Sequence, residues 1–372
     1  MSTCALPDEG KATSIGTLLI TLLLLVGLPL LGIVTVGLPL NKYLEFPPIT
    51  RYITPAAFSW PVFLSMSVFV IVVIGPIVTR TIISRNLSET TGFEPRSFPW
   101  WGWIAVVWIC AAWLLAWNRF DWFTSLQRHT FTPLWLGYVM TVNALTFKRS
   151  GKCLLLDRPR YLLTLFIVSA IFWWYFEFLN RFVQNWYYSG IGNFTPLEYL
   201  VFGTLSFSTV LPAVVSTRDL LATFPRLAAG TNNFLKLRPT NSCRMASVVL
   251  VVAAIALANI GRWPDYLFPM LWTAPLLILI SLQALRGEKH ILQGIARGDW
   301  QSVWLAALAG LVCGIFWELW NWRSLAHWQY AVPFVHRFQL FEMPMLGYAG
   351  YLPFGIECIA VTEILKSRFV TE

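Results

Sequence analysis

Residues 300–322, "WQSVWLAALAGLVCGIFWELWNW", decide the fold class. The stretch is apolar almost throughout, yet it carries one carboxylate, Glu318, set among Trp317, Trp320 and Trp322. About twenty residues at 1.5 Å per residue cover about 30 Å of hydrocarbon, so this is the signature of a membrane-spanning helix. A charge at the bilayer centre costs about 2.5 to 3.5 kcal/mol, so Glu318 is expected either at a membrane edge or in a working site. An earlier stretch, "WYFEFLN" at residues 174–180, sets Glu177 in the same company.

Composition extends the reading to the whole chain. Of 372 residues, 57% are hydrophobic and only 12% charged, against about 25% charged in soluble domains. The chain is therefore expected to be an all-α polytopic membrane protein. About ten apolar stretches of spanning length occur, near residues 14–39, 58–79, 99–118, 131–147, 161–179, 195–217, 245–259, 264–285, 300–320 and 340–364. The first is long for a signal peptide and lacks a small-residue cleavage site, so it reads as a retained helix. The net charge of +9 would suit nucleic acid in a soluble protein. Here 19 of the 27 Lys and Arg fall in alternate connections, among them "FKRSGKCLLLDRPR" at 147–160, and eight in the others. That asymmetry marks the cytoplasmic side, places both termini there in an integral cell membrane, and leaves no nucleic-acid partner to expect. The six cysteines show no C-x-x-C spacing and indicate neither a disulfide framework nor a zinc site.

The chain resembles itself. Glu177 and Asn180 of "FEFLN" match Glu318 and Asn321 of "WELWN". Trp186 and Tyr188 of "NWYY" match Trp328 and Tyr330 of "HWQY", and Glu198 of "PLEYLVFG" matches Glu342 of "LFEMPMLG". Arg119 and Asp121 match Arg262 and Asp265 further upstream. The expected organisation is a tail and two flanking helices in 1–98, a four-helix repeat in 99–217, and a basic cytoplasmic linker in 218–242. A second four-helix repeat in 243–364 and a short tail in 365–372 complete it. An even number of spans per copy makes the repeats parallel.

Each candidate carries a plain alternative. Glu177 and Glu318 could anchor at the interface among Trp and Tyr. The Asn three residues beyond each shares its helical face, which suits a hydrogen-bonded Glu–Asn pair turned into the bundle. Glu198 and Glu342, each expected at a helix start, could serve the helix dipole. The Arg–Asp pairs read as solvated ion pairs. Glu357, in "YLPFGIECIAV", lies deep within its stretch with no acidic match in the first copy. A carboxyl in such surroundings can stay protonated and donate that proton. Trp317 and the other tryptophans near the glutamates could line a pocket for a long apolar ligand, their π faces favouring positive charge. His129, His290, His327 and His336 show no ligand spacing, and neither metal nor cofactor is expected.

This paired pattern resembles the membrane lycopene cyclases of the heterodimeric bacterial and fused fungal type. The similar elements are Glu177, "NWYY" and "PLEYLVF" with Pro196 and Glu198, then Glu318, "HWQY" and "LFEMPML". The family's second acid is replaced by Tyr199, and Pro344 follows Glu342 instead of preceding it. The resemblance implies redox-neutral cyclisation or isomerisation of a polyene or isoprenoid. Glu198 or Glu342 would protonate a double bond, aromatic faces would stabilise the cation, and a second carboxylate would accept a proton. Two other classes stand beside it: a non-catalytic subunit holding lipid or pigment within a membrane complex of unspecified partners, and a transporter. A polyene or lipid travelling with the protein favours the first two, and substrate-coupled proton flux the last.

Overall fold

The computed structural model describes residues 11–47, 50–84, 96–192 and 194–369. The chain begins with α1 (Ile15–Thr35), the single turn α2 (Asn41–Leu44), α3 (Trp60–Ser84), α4 (Trp100–Trp117), α5 (Phe131–Ser150), the turn α6 (Leu154–Asp157) and α7 (Pro159–Val183). After the strand β1 (Trp186–Ser189) come α8 (Pro196–Phe207), α9 (Val210–Ala222), α10 (Ser242–Ala258), α11 (Pro264–Leu285) and α12 (Gln301–Asn321). The chain closes with β2 (His327–Tyr330), β3 (Gln339–Leu340), β4 (Met343–Pro344), a 3-10 segment Met345–Gly350 and α13 (Tyr351–Phe369).

Among the described residues eight helical stretches are long and apolar enough to cross a membrane: α1, α3, α4, α7, α8 with α9, α11, α12, and Met345–Lys366. α10 is apolar but has 17 residues, and α5 carries Thr141, Asn143 and Thr146 along its length. The protein is an all-α membrane protein with two minimal strand pairs.

Small residues bring the central helices together. A Cβ on Gly310 of α12 would stand 2.3 Å from the Tyr351 carbonyl oxygen and 2.7 Å from Gly355 Cα. The α12–α13 crossing therefore depends on backbones in direct contact, the device membrane helices use where no hydrophobic force separates protein from lipid. α9 sits deepest, with every residue from Val210 to Thr217 buried. α3 is the reverse case: 6% of its most apolar stretch is buried, against 61% for α12. It packs chiefly at its ends, on Met345–Gly350 and on the linker turns Pro225–Leu227 and Thr231–Asn233.

Two local expectations change. The stretch 195–217 is two helices, interrupted at Ser208 and Thr209, whose amides bond back to Thr204 and Ser206. Glu342 does not begin a helix. It lies in the turn joining β3 to β4, because Pro344, with no N–H to give, follows it in the strand and helical structure resumes only at Met345. Cys110, Cys153, Cys313 and Cys358 are free thiols, whereas Cys243 is disulfide-bonded, a pairing that cysteine spacing did not signal.

The loops that follow α7 and α12 meet. β1 and β2 pair antiparallel in the register Trp186↔Tyr330, Tyr187↔Gln329, Tyr188↔Trp328, Ser189↔His327. This ladder closes one end of the helix bundle, and the linker of residues 218–242 lies at the other.

Candidate functional site

Between α3 and the remaining helices lies a cavity of about 590 Å³. Its outer wall is one face of α3, formed by Met66, Phe69, Val70, Val73, Ile74 and Ile77, a 3-4 helical spacing. On α12 the lining runs from Trp300 to Trp317, about 26 Å at 1.5 Å per residue. The space is thus an elongated slot along the bundle axis. At its ladder end the walls are aromatic: Trp186, Tyr188, Trp328 and Tyr330 from the two strands, Trp317 from α12 and Trp272 from α11.

Glu177 and Glu318 lie immediately behind this wall, both 0% exposed. Oε1 of Glu177 accepts hydrogen bonds from the Tyr188 hydroxyl at 2.6 Å, the Trp186 indole at 3.0 Å and the Trp173 indole at 3.1 Å. Oε1 of Glu318 accepts from the hydroxyls of Tyr330 and Tyr351, each at 2.6 Å. The Trp328 indole in turn donates to the Tyr330 oxygen at 2.7 Å. In both groups Oε2 has no partner among the described residues. Burial pushes the Tyr188 and Tyr330 phenols well above their usual range, so both remain protonated donors. The carboxyls are therefore turned inward and not anchored in a headgroup layer, and they meet the cavity through the phenols and indoles they hold.

The expected Glu–Asn pair is not made. Asn180 donates to the Trp186 carbonyl at 2.8 Å and accepts from the Asn185 amide at 2.8 Å. Asn321 donates to the Trp328 carbonyl at 2.7 Å and accepts from the Trp328 amide at 2.8 Å. Each Asn sits at the C-terminal end of its helix, where the chain turns out of the bundle and its backbone groups need partners. The side chains serve the ladder, and the glutamates are left to the aromatic donors.

The other acidic candidates lie apart from the slot. Glu198 is exposed and forms a reciprocal capping box with Thr195 at the start of α8. The cue was present as Thr-x-x-Glu. Glu342 is half-buried in its hairpin turn. Glu357 is 3% exposed within α13, and its Oε2 has no partner. None of the five glutamates lines the cavity.

Reading the sequence missed Trp173, Tyr351, Asn185, Tyr199 and the whole contribution of α3. Trp173 precedes Glu177 by four residues, a helical spacing that could have found it. Tyr351 comes from α13 by a long-range contact that has no local signal. Among the described residues no cluster of three or more His, Cys, Asp or Glu could hold a metal ion.

No family model, curated protein or solved structure matches this chain.

Proposed function

We propose that this protein binds one long apolar molecule of the polyene or isoprenoid class within the membrane, in the slot between α3 and the bundle. The observation that carries the reading is the slot's shape and lining. A volume of about 590 Å³ drawn out over about 26 Å suits an extended chain, and pockets of that volume bury most of a ligand's surface. Identification by mass spectrometry of the molecules extracted with organic solvent from the purified protein tests the proposal. A stoichiometric polyene or isoprenoid is the expected result. Protein free of any such molecule, and unable to take one up, would end it.

The wider architecture belongs to the same proposal: ten spans, eight of them arranged as two parallel four-helix repeats, with both termini cytoplasmic. The register of the ladder supports the duplication. If Trp186 corresponds to Trp328 and Tyr188 to Tyr330, the pairing Trp186↔Tyr330 and Tyr188↔Trp328 maps onto itself under a twofold axis between Tyr187 and Gln329. The basic linkers support the orientation.

A second reading, acid-catalysed cyclisation or isomerisation as in lycopene cyclases, is favoured by the Glu–Tyr pairs. Tyr188, Tyr330 and Tyr351 line the slot and each bonds a buried carboxyl at 2.6 Å. In this reading the carboxyl is protonated and donates to the phenol oxygen in place of accepting from it, the phenol passes its own proton to the ligand and takes the carboxyl's, and the aromatic faces stabilise the cation formed. On this reading Glu177→Gln and Glu318→Gln, not Glu198→Gln, abolish conversion of the bound molecule. Full turnover in both would leave binding alone.

A further inference from the structure

The two ends of the slot differ in polarity. At the linker end the Trp300 indole donates to the Leu235 carbonyl at 2.7 Å, and that of Trp304 to the Leu227 carbonyl at 2.9 Å. Their N–H groups are satisfied away from the slot, and Val303 and Ile77 complete an apolar end. The ladder end keeps polar groups that nothing among the described residues satisfies. Asn185 is 3% exposed and lines the slot, and its side-chain oxygen has no hydrogen-bond partner among the described residues. Its backbone is engaged, its amide with Asn180 and its carbonyl with Ala331. Tyr199 also lines the slot, and its buried hydroxyl has no partner among the described residues. A buried amide and a buried hydroxyl cost free energy unless something pairs with them.

We infer that the ladder end is a subsite for an oxygen-bearing end group, and that the molecule bound is an isoprenoid-length alcohol and not a pure hydrocarbon. The inference rests on the slot being a binding site for a long apolar chain. A hydroxyl both donates and accepts, as do the Asn185 amide and the Tyr199 phenol, so one alcohol can engage either group in either sense. A phosphate ester fits less well, since Arg128 is the sole lysine or arginine among the lining residues, and it is exposed. The chain would then lie along α3 with its hydroxyl beside Asn185 and its apolar tail between Trp300 and Trp304.

The test compares binding of geranylgeraniol, its phosphate ester, and the hydrocarbon of the same skeleton lacking the hydroxyl. Quenching of tryptophan fluorescence in the full-length detergent-solubilised protein reports affinity. The alcohol is expected to bind about tenfold more tightly than the hydrocarbon. Asn185→Leu should erase most of that preference. Tyr199→Phe should reduce it, and that variant keeps the inference testable if Asn185→Leu fails to fold, because the phenol oxygen has no partner to lose. Equal affinities in the unaltered protein would overturn the inference, with ordered water then satisfying the two groups. A preference that survives in the double variant, or tighter binding of the phosphate ester, would overturn it as well. Absence of binding by all three molecules would instead refute the slot as a binding site.

Discussion

Replacing Asn321 by alanine removes two hydrogen bonds, to the Trp328 carbonyl at 2.7 Å and from the Trp328 amide at 2.8 Å. Each bond contributes about 1 kcal/mol net, and leaving a half-buried N–H and C=O without partners adds about 1 to 3 kcal/mol, so a loss of about 3 to 5 kcal/mol is expected. Asn180→Ala should cost a similar amount, since it frees the Trp186 carbonyl and the Asn185 amide. The two asparagines hold opposite strands of one ladder, so once either strand is loose the second substitution has less to undo. The double variant is therefore expected to fall short of the sum by about 0.5 to 3 kcal/mol. Unfolding of the purified protein in detergent, followed by tryptophan fluorescence, measures all three. A loss below about 0.5 kcal/mol for Asn321→Ala, the range of ordinary surface substitutions, would refute the anchoring role. Additive losses would refute the joint role of the ladder. The variants should also impair ligand retention, because Tyr330, which bonds Glu318, lies two residues beyond Trp328 on the same strand.

Gly310→Leu should separate α12 from α13 and destabilise by about 1 to 3 kcal/mol or more, whereas Gly350→Ala, with nothing within 4 Å of the added Cβ, should be nearly silent in the same unfolding assay. Single cysteines at Ser189 and Ser324, introduced with the native cysteines removed, should react with impermeant maleimide from outside intact cells; labelling only after the inner face is exposed would reverse the proposed orientation. Burial pushes His129, His290 and His336 below the ordinary 6.5. The unfolded chain then binds protons first as pH falls below about 6.5, so stability should decline on acidification from pH 7 to 5. Replacing the three by glutamine should flatten that slope.

The helical class was legible because spanning length and apolarity are local properties of the chain. The burial of Glu177 and Glu318 was one of two readings left open by the sequence, which allowed anchoring at the interface equally well. Their hydrogen-bond partners were not legible. Tyr188 and Tyr330 stand 11 and 12 residues away, on loops whose course depends on two helix ends meeting. A four-residue strand such as "WYYS" or "HWQY" carries too little alternation to announce a pairing across about 140 positions. Nor does any sequence pattern say that α3 stands off from its neighbours. Its residues are as apolar as those of α12, and only the small residues of α12, among them Gly310 and Gly314, hint at which helix packs closely.

The two ends of the proposed duplication are unlike, and that difference bears on what the slot can do. At the first, Trp173 and Trp186 add indole donors to the Glu177–Tyr188 pair, Arg181 lies one helical turn further on, and the Asn185 side-chain oxygen and the Tyr199 hydroxyl have no partner among the described residues. At the second, Glu318 is held by two phenols, and Trp322 occupies the position matching Arg181. A symmetric pair of sites would present a ligand with the same chemistry twice. Both carboxyls stand behind the ladder end of the slot, so that end has two unlike sides, one near a cation and unpaired polar groups, the other enclosed by aromatic rings. That inequality offers a bound end group two different sides at the ladder end. It is the reason Glu177→Gln and Glu318→Gln should differ in how far each weakens ligand retention even though the two carboxyls occupy corresponding places in the sequence.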